Sequence, residues 1–215
     1  MSLRTAAWLA WGLWGLAVSL SGLALALQIL NWSSGIATPL LTGLGTALLT
    51  LWILAFPTVG ALIAARQPSH PLGWTFCTLG VGFAVVGTSW GYATYALVIA
   101  PGSLPGGEVM AWLSVWPRPG LGMLAVLLPQ LVFPDGRLPS RRWRPVAWLF
   151  MAELIVLPTA LALQPGPLQF SPVIVLPAVA NPFGVRGPAG EALRLVTVGA
   201  WVSWRCSRSR PPRPS

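Results

Sequence analysis

The densest charge in this chain lies in Asp135-Gly136-Arg137-Leu138-Pro139-Ser140-Arg141-Arg142-Trp143-Arg144, between two long apolar stretches. Only 8% of the 215 residues are charged and 55% are hydrophobic, whereas about 25% of residues are charged in an ordinary soluble domain. So little polar surface could not cover a water-soluble core of this size. The composition therefore indicates one polytopic membrane domain, and the charged stretch is first a signal of membrane topology.

Apolar runs that approach the roughly 20 residues needed to cross a bilayer recur along the chain. We predict an all-α bundle of about six transmembrane helices within residues 1–204, at 6–30, 39–65, 72–100, 109–133, 145–163 and 192–204. Residues 205–215 are predicted to be a basic, disordered tail. The first run is too long and too rich in tryptophan for the core of a cleaved signal peptide, which is the alternative there.

Two of the six segments depart from a regular span. Pro117-Arg118-Pro119-Gly120 interrupts the fourth, which is either one kinked helix or an interfacial helix followed by a short span. The sixth has only roughly 13 apolar residues, fewer than a span requires. Between the fifth and sixth, six prolines forbid a regular helix: Pro165, Pro167, Pro172, Pro177, Pro182 and Pro188.

Arginine supplies every basic residue, and loops near the cytoplasmic ends of spans are enriched in Lys and Arg. With the N-terminus in the cytoplasm, three arginines face outward: Arg118, Arg186 and Arg194. The ten on the cytoplasmic side are Arg4, Arg66, Arg137, Arg141, Arg142, Arg144, Arg205, Arg208, Arg210 and Arg213. We predict a multi-pass protein of the inner (plasma) membrane with both termini cytoplasmic. This placement accounts for the net charge of +9 without a nucleic-acid partner.

Glu153 is the one acidic residue well inside a predicted span. An ionisable group at that depth is costly and marks a functional-site hypothesis. Arg118, in the preceding segment, is the nearby basic candidate for a pairing or ligand role, although the depths of the two residues do not match obviously. The alternative is a protonated Glu153 hydrogen-bonded between helices. Both residues are ligand or signalling candidates.

The sequence lacks the residue sets that catalysis and metal binding need. His70 is the only histidine, it lies in a turn, and no cluster of acids stands near it to complete a metal site. No Ser-His-Asp set, Gly-rich phosphate loop or pair of carboxylates is present. Cys77 and Cys206 lie in different surroundings and imply no disulfide framework. We expect no metal, no cofactor and no enzymatic activity from this chain alone.

Glycines recur inside the predicted spans, among them Gly12 and Gly15 in the first and Gly87 and Gly91 in the third. Small residues let membrane helices approach closely. Packing within one chain is the ordinary explanation. The four-residue spacing of Gly87 and Gly91 also suits a homodimer face.

Three motifs occur in order along the chain. They are Arg66-Gln67-Pro68-Ser69-His70-Pro71-Leu72-Gly73-Trp74, then Phe133-Pro134-Asp135-Gly136-Arg137-Leu138-Pro139-Ser140-Arg141-Arg142-Trp143-Arg144-Pro145, then Asn181-Pro182-Phe183-Gly184-Val185. Together they resemble the N-terminal membrane region of bacterial sensor histidine kinases of a type frequent in high-GC actinobacteria. The resemblance covers roughly residues 66–195, and the second motif is the most specific.

The resemblance implies a membrane-embedded sensory or input region of a two-component system. In a full-length relative, a phosphoacceptor helix and an ATP-binding domain would follow and act on a response regulator. Neither is present in these residues, and the tail at 205–215 has the composition of a GC-rich gene read out of frame. We therefore expect a truncated or frameshifted product. The residues that we assign to the cytoplasmic side and to the motifs are Arg66, His70, Asp135, Gly136, Arg137, Arg141, Arg142 and Arg144.

Two other functions remain open. A small transporter or channel would place several polar groups in its spans to form a path, and Glu153 is the clear case here. A membrane-embedded enzyme acting on lipids or peptides would need a converging acid, base or nucleophile set, which the sequence does not offer. The input region is therefore the leading hypothesis, with the lipid bilayer as its first partner.

Overall fold

A computed structural model of the chain describes residues 2–31, 44–132, 140–168 and 179–197. About 81% of these residues are helical, and they form no β-strand. The helices are α1 (Leu3–Leu30), α2 (Leu44–Arg66), α3 (Pro71–Thr94), α4 (Gly107–Leu113), α5 (Pro117–Val132), α6 (Arg144–Leu163) and α7 (188–197). A π-helical turn, Tyr95–Ile99, extends α3, and a 3-10 turn, Arg141–Trp143, leads into α6.

Four helices are long and apolar enough to cross a membrane: Leu3–Leu30, Gly45–Arg66, Pro71–Ile99 and Arg141–Leu163. The prediction of an all-α membrane protein is confirmed at this level. The fourth predicted segment forms two helices, α4 and α5, with a turn at 114–116. Pro117 disfavours helical backbone at the residue before it and suits the first position of a new helix, which explains the break. The described residues therefore do not support a count of six spans.

Helix α1 lies parallel to α3 and is hydrogen-bonded to it at two levels. The hydroxyl of Thr88 donates to the carbonyl oxygen of Leu20 at 2.8 Å. Further along both helices, the side-chain amide of Asn31 donates to the carbonyl oxygen of Gly91 at 2.9 Å. These bonds satisfy polar groups inside an apolar bundle, where an unmade hydrogen bond is costly.

Helix α2 runs antiparallel to α3, and the two backbones touch. A Cβ added to Gly60 would lie 2.6 Å from the amide nitrogen of Cys77, and one added to Gly73 would lie 2.8 Å from that of Ala64. No side chain larger than hydrogen fits at either position. Glycine therefore sets how closely this helical hairpin packs.

The glycines noted in the first and third predicted segments differ in their surroundings. An added Cβ at Gly12 or Gly15 would meet nothing within 4 Å, so the close approach expected there is not made by the described residues. Gly87 and Gly91 face α1 instead, with Leu27 lying 2.8 Å from a Cβ placed on Gly91. At Gly91 the close approach is therefore made within the chain, and a homodimer face at these glycines stays a prediction.

Helix α5 runs antiparallel to α3. Arg118, near its start, lies over the ring of Trp90, and Leu121 lies against Gly82. Residue numbers therefore increase along α5 in the direction in which they decrease along α3.

Helix α6 returns alongside α5, and its direction matches that of α3. Pro158 lies against Gly120, and the carbonyl oxygen of Ala162 accepts a hydrogen bond from Trp112, which precedes α5. The starts of α1, α3 and α6 consequently lie at the same end of the bundle as the end of α2. We call this the basic end, because it carries Arg4, Arg66, Arg141, Arg142 and Arg144.

Candidate functional site

A cavity of about 330 Å³ lies between α1, α2 and α3 in the half of the bundle away from the basic end. Its walls are mostly apolar, with Ile53, Phe83 and Val86 among them. The polar side chains that line it are those of Gln28, Thr46, Thr50 and Arg118. An apolar cavity with a few converging polar groups is the usual form of a ligand site.

Arg118 brings a positive charge to this cavity. Its Cζ lies 5.6 Å from the centre of the Trp90 ring, a cation–π contact, and the side chain is half-buried. Among the described residues its guanidinium forms no ion pair and no hydrogen bond. Arg118 is also the second residue of α5, where the helix dipole presents its positive end and disfavours a cation. The site thus holds a cation that no described residue neutralises.

The acidic side chains lie elsewhere. Glu108, Glu153 and Glu191 are exposed, and none of them pairs with Arg118. Asp135, the fourth acid of the chain, falls outside the described residues.

The structure does not bring Glu153 and Arg118 together. Leu154 and Pro158, four positions apart, form the face of α6 that packs against Gly120 of α5. Glu153 is turned away from that face by the helical repeat, so it is exposed on the outer side of α6. Glu153 and Arg118 are therefore apart because Glu153 lies on a different face of α6 from the one that packs on α5, and not only because their depths differ.

His70 lies in the turn between α2 and α3 and caps α3. Its Nδ1 accepts a hydrogen bond from the backbone amide of Leu72 at 3.3 Å. Nearby, the indole of Trp74 donates to the carbonyl oxygen of Pro68 at 2.9 Å, and Pro71 occupies the first position of α3. The first motif therefore closes a helical hairpin.

The second motif is described only in part. Asp135, Gly136 and Arg137 lie outside the described residues. Arg141, Arg142 and Arg144 are exposed at the start of α6, and Arg66 is exposed at the end of α2, a position that its charge stabilises through the helix dipole. The described arginines of the motifs thus form a solvated surface at the basic end.

The third motif caps the far end of α6, where the last carbonyl groups of the helix lack partners within it. The side-chain amide of Asn181 donates to the carbonyl oxygens of Ala162 at 2.9 Å and Gln164 at 2.8 Å. The backbone amide of Val185 donates to the carbonyl oxygen of Leu163 at 2.9 Å. The sequence singles out Asn181 as the first residue of the third motif but does not indicate this capping role.

Within the described ranges, no group of three or more His, Cys, Asp or Glu side chains is placed to hold a metal ion. Gln28 was not singled out as a site residue from the sequence, although it is the one amide that interrupts the first apolar run. Its position in the cavity depends on how α1 packs against α2 and α3, which periodicity does not reveal.

No protein-family model matches the chain, and no curated protein or solved structure is significantly similar to it. The resemblance to sensor kinases therefore depends on the three motifs alone.

Proposed function

We propose that this chain is the membrane-embedded input region of a two-component sensor histidine kinase. One observation supports this more than any other: the cavity and the basic end lie toward opposite ends of one helix, α3. Its residues Phe83 to Trp90 line the cavity, and its start at Pro71 adjoins the basic end. From Pro71 to Trp90 is roughly 30 Å at 1.5 Å per residue, which is the thickness of the hydrocarbon core. A site on one side of a membrane would thus be connected to a charged surface on the other.

In this proposal the basic end faces the cytoplasm of a bacterial cell and the cavity opens toward the outer side of the plasma membrane. Arginine-rich loops favour that orientation. Helix α5 would serve as the short fourth span after an interfacial α4. The sixth predicted segment, 192–204, would begin within α7, and its residues 198–204 lie outside the described residues. Both termini would then be cytoplasmic.

Phosphoryl transfer in such a system belongs to phosphoacceptor and ATP-binding domains, which we expect outside residues 1–215. The chain alone would therefore not autophosphorylate. Its partners would be the bilayer, a second copy of the chain and, in a full-length relative, a kinase core with its response regulator.

A fusion tests the proposal. The dimerising and catalytic domains of an intact sensor kinase would be joined after residue 204, and autophosphorylation would be measured in membrane vesicles. We expect Arg118→Gln to change the rate at least threefold. Leu51→Ala, on an exposed position of α2, should leave it unchanged. Equal rates in all three fusions would contradict the proposal, and solute flux through the unfused chain in vesicles would favour a transporter instead.

A further inference from the structure

We infer that the cavity between α1, α2 and α3 binds an amphipathic anion, a carboxylate or phosphate carried on a short apolar tail. The inference concerns binding and deepens the proposed input function by naming the class of ligand. It does not require that the chain feed a kinase.

The charge of Arg118 is not compensated by any described residue. Arginine stays protonated in proteins, and a cation within a membrane protein normally pairs with an anion or a carbonyl group. The three acidic side chains that the structure describes are exposed and do not contact Arg118. The positive end of the α5 dipole adds to the local positive potential. An anion bound in the cavity would supply the missing countercharge.

The polar end of the cavity has a shape that suits an anion. A guanidinium presents two parallel N–H groups that match a carboxylate or a phosphate, and the Trp90 ring holds one face of it through the cation–π contact. Gln28 also lines the cavity, and its side chain has no hydrogen-bond partner among the described residues. Its amide N–H groups could donate to the same anion. Both side chains are therefore available to a ligand.

The rest of the cavity is apolar and suits a hydrocarbon tail. It extends along α3 from Trp90 to Phe83, roughly 10 Å at 1.5 Å per residue. Its volume of about 330 Å³ lies near the lower limit of ligand pockets, about 300–1,000 Å³. A space of this size suits one short hydrocarbon tail. The Trp90 level lies roughly 30 Å along α3 from Pro71, so the anionic group would lie at headgroup depth with its tail inside the leaflet.

The test measures binding to the purified full chain in a neutral detergent. Radiolabelled decanoate, decanol and decyltrimethylammonium have similar tails and differ in charge, and each would be examined by equilibrium dialysis below its own micelle concentration. We expect saturable binding of decanoate and at least tenfold weaker binding of the other two. Equal binding of decanol would overturn the inference, because the cavity would then recognise only the tail.

Variants locate the site. Arg118→Gln should weaken decanoate binding at least tenfold, and Arg118→Lys should weaken it less because the charge remains. Gly87→Val adds bulk at a residue that lines the cavity and leaves Arg118 in place, and the added Cβ would lie 3.7 Å from Ala24, an ordinary van der Waals contact. It should also abolish binding. Arg186→Gln, on an exposed arginine, is the control. Unchanged binding in both cavity variants would overturn the inference even if one of them folded poorly.

The source of the anion is distinguished by competition. Phosphatidylglycerol and phosphatidylcholine would be added separately to the detergent solution. Displacement of decanoate by phosphatidylglycerol alone would identify a lipid headgroup, and displacement by neither lipid would identify a free carboxylate. Failure of decanoate and phosphatidylglycerol to bind at all would overturn the inference. If decanoate binding depends on Arg118 but the autophosphorylation rate of the kinase fusion does not, the binding site is supported and the proposed signalling role is contradicted.

Discussion

Trp112 and Asn181 donate hydrogen bonds to the same carbonyl oxygen, that of Ala162, at 2.8 and 2.9 Å. One side chain comes from α4 and the other from the segment after α6. The Trp112 ring also packs on Phe183, with 4.7 Å between ring centres. A single helix end thereby joins two segments that are distant in sequence, and the asparagine that begins the third motif makes one of the two bonds.

Asn181→Ala would remove both amide hydrogen bonds to the end of α6 and the bond that Oδ1 accepts from Phe183. Because buried carbonyl groups would be left partly unsatisfied, we expect a loss of about 2 kcal/mol in the free energy of unfolding. Thermal unfolding in detergent, followed by circular dichroism, measures it. Gln67→Ala, at an exposed position, is the matched control. Equal midpoints for the two variants would show that the cap is not stabilising.

Gly60→Ala should disrupt the packing of α2 on α3, because its Cβ would lie 2.6 Å from a backbone nitrogen that cannot move without separating the helices. Gly12→Ala is the comparison, since a Cβ there meets nothing within 4 Å. We expect a large fall in folded protein for the first variant. For the second we expect a neutral effect or a gain of up to about 1 kcal/mol from helix propensity. Monodisperse yield after size-exclusion chromatography is the measurement, and similar yields would argue against this packing.

Arg118→Gln should stabilise the protein when no ligand is present. The substitution removes a half-buried cation that lacks a countercharge, which we expect to be worth about 1 kcal/mol at this depth. The thermal midpoint of ligand-free protein should therefore rise, while the further rise on adding decanoate should disappear. A lower midpoint for the variant would mean that the wild-type guanidinium is already compensated.

Membrane topology can be read from single cysteines in a background carrying Cys77→Ala and Cys206→Ser. Ser69→Cys and Ser140→Cys lie toward the basic end, whereas Ser103→Cys lies beyond the opposite end of α3. We expect a membrane-impermeant maleimide to label Ser103→Cys in intact cells and the other two only after permeabilisation. Labelling of Ser140→Cys in intact cells would reverse the proposed orientation.

Much of the architecture could be predicted because hydrophobic length reports on membrane-crossing helices directly. The Pro-Arg-Pro-Gly sequence likewise marked the place where α5 begins. Which helix faces pack against each other could not be predicted in this way. Whether Arg118 meets Glu153 depends on which face of α6 packs against α5, and the mostly apolar sequence of that helix gives no clear periodic signal for it.

In the candidate site, too, some residues could be predicted from the sequence and others could not. Arg118 could be selected as an ionisable residue beside apolar segments. Gln28 and Phe83, which line the same cavity, belong to helices far from Arg118 in the chain, and only the packing of α1, α2 and α3 assembles them around it. The capping role of Asn181 was equally hidden, because its partners Ala162 and Gln164 lie 19 and 17 residues earlier in the chain.

The backbone contact between α2 and α3 has a mechanical consequence. Helices that slide past each other do so by small shifts of interleaved side chains, and at Gly60 and Gly73 no such layer separates the two backbones. The α2–α3 hairpin would therefore move as one rigid unit. A displacement of α3 beside Trp90 would carry α2 with it and move the His70 turn at the opposite end.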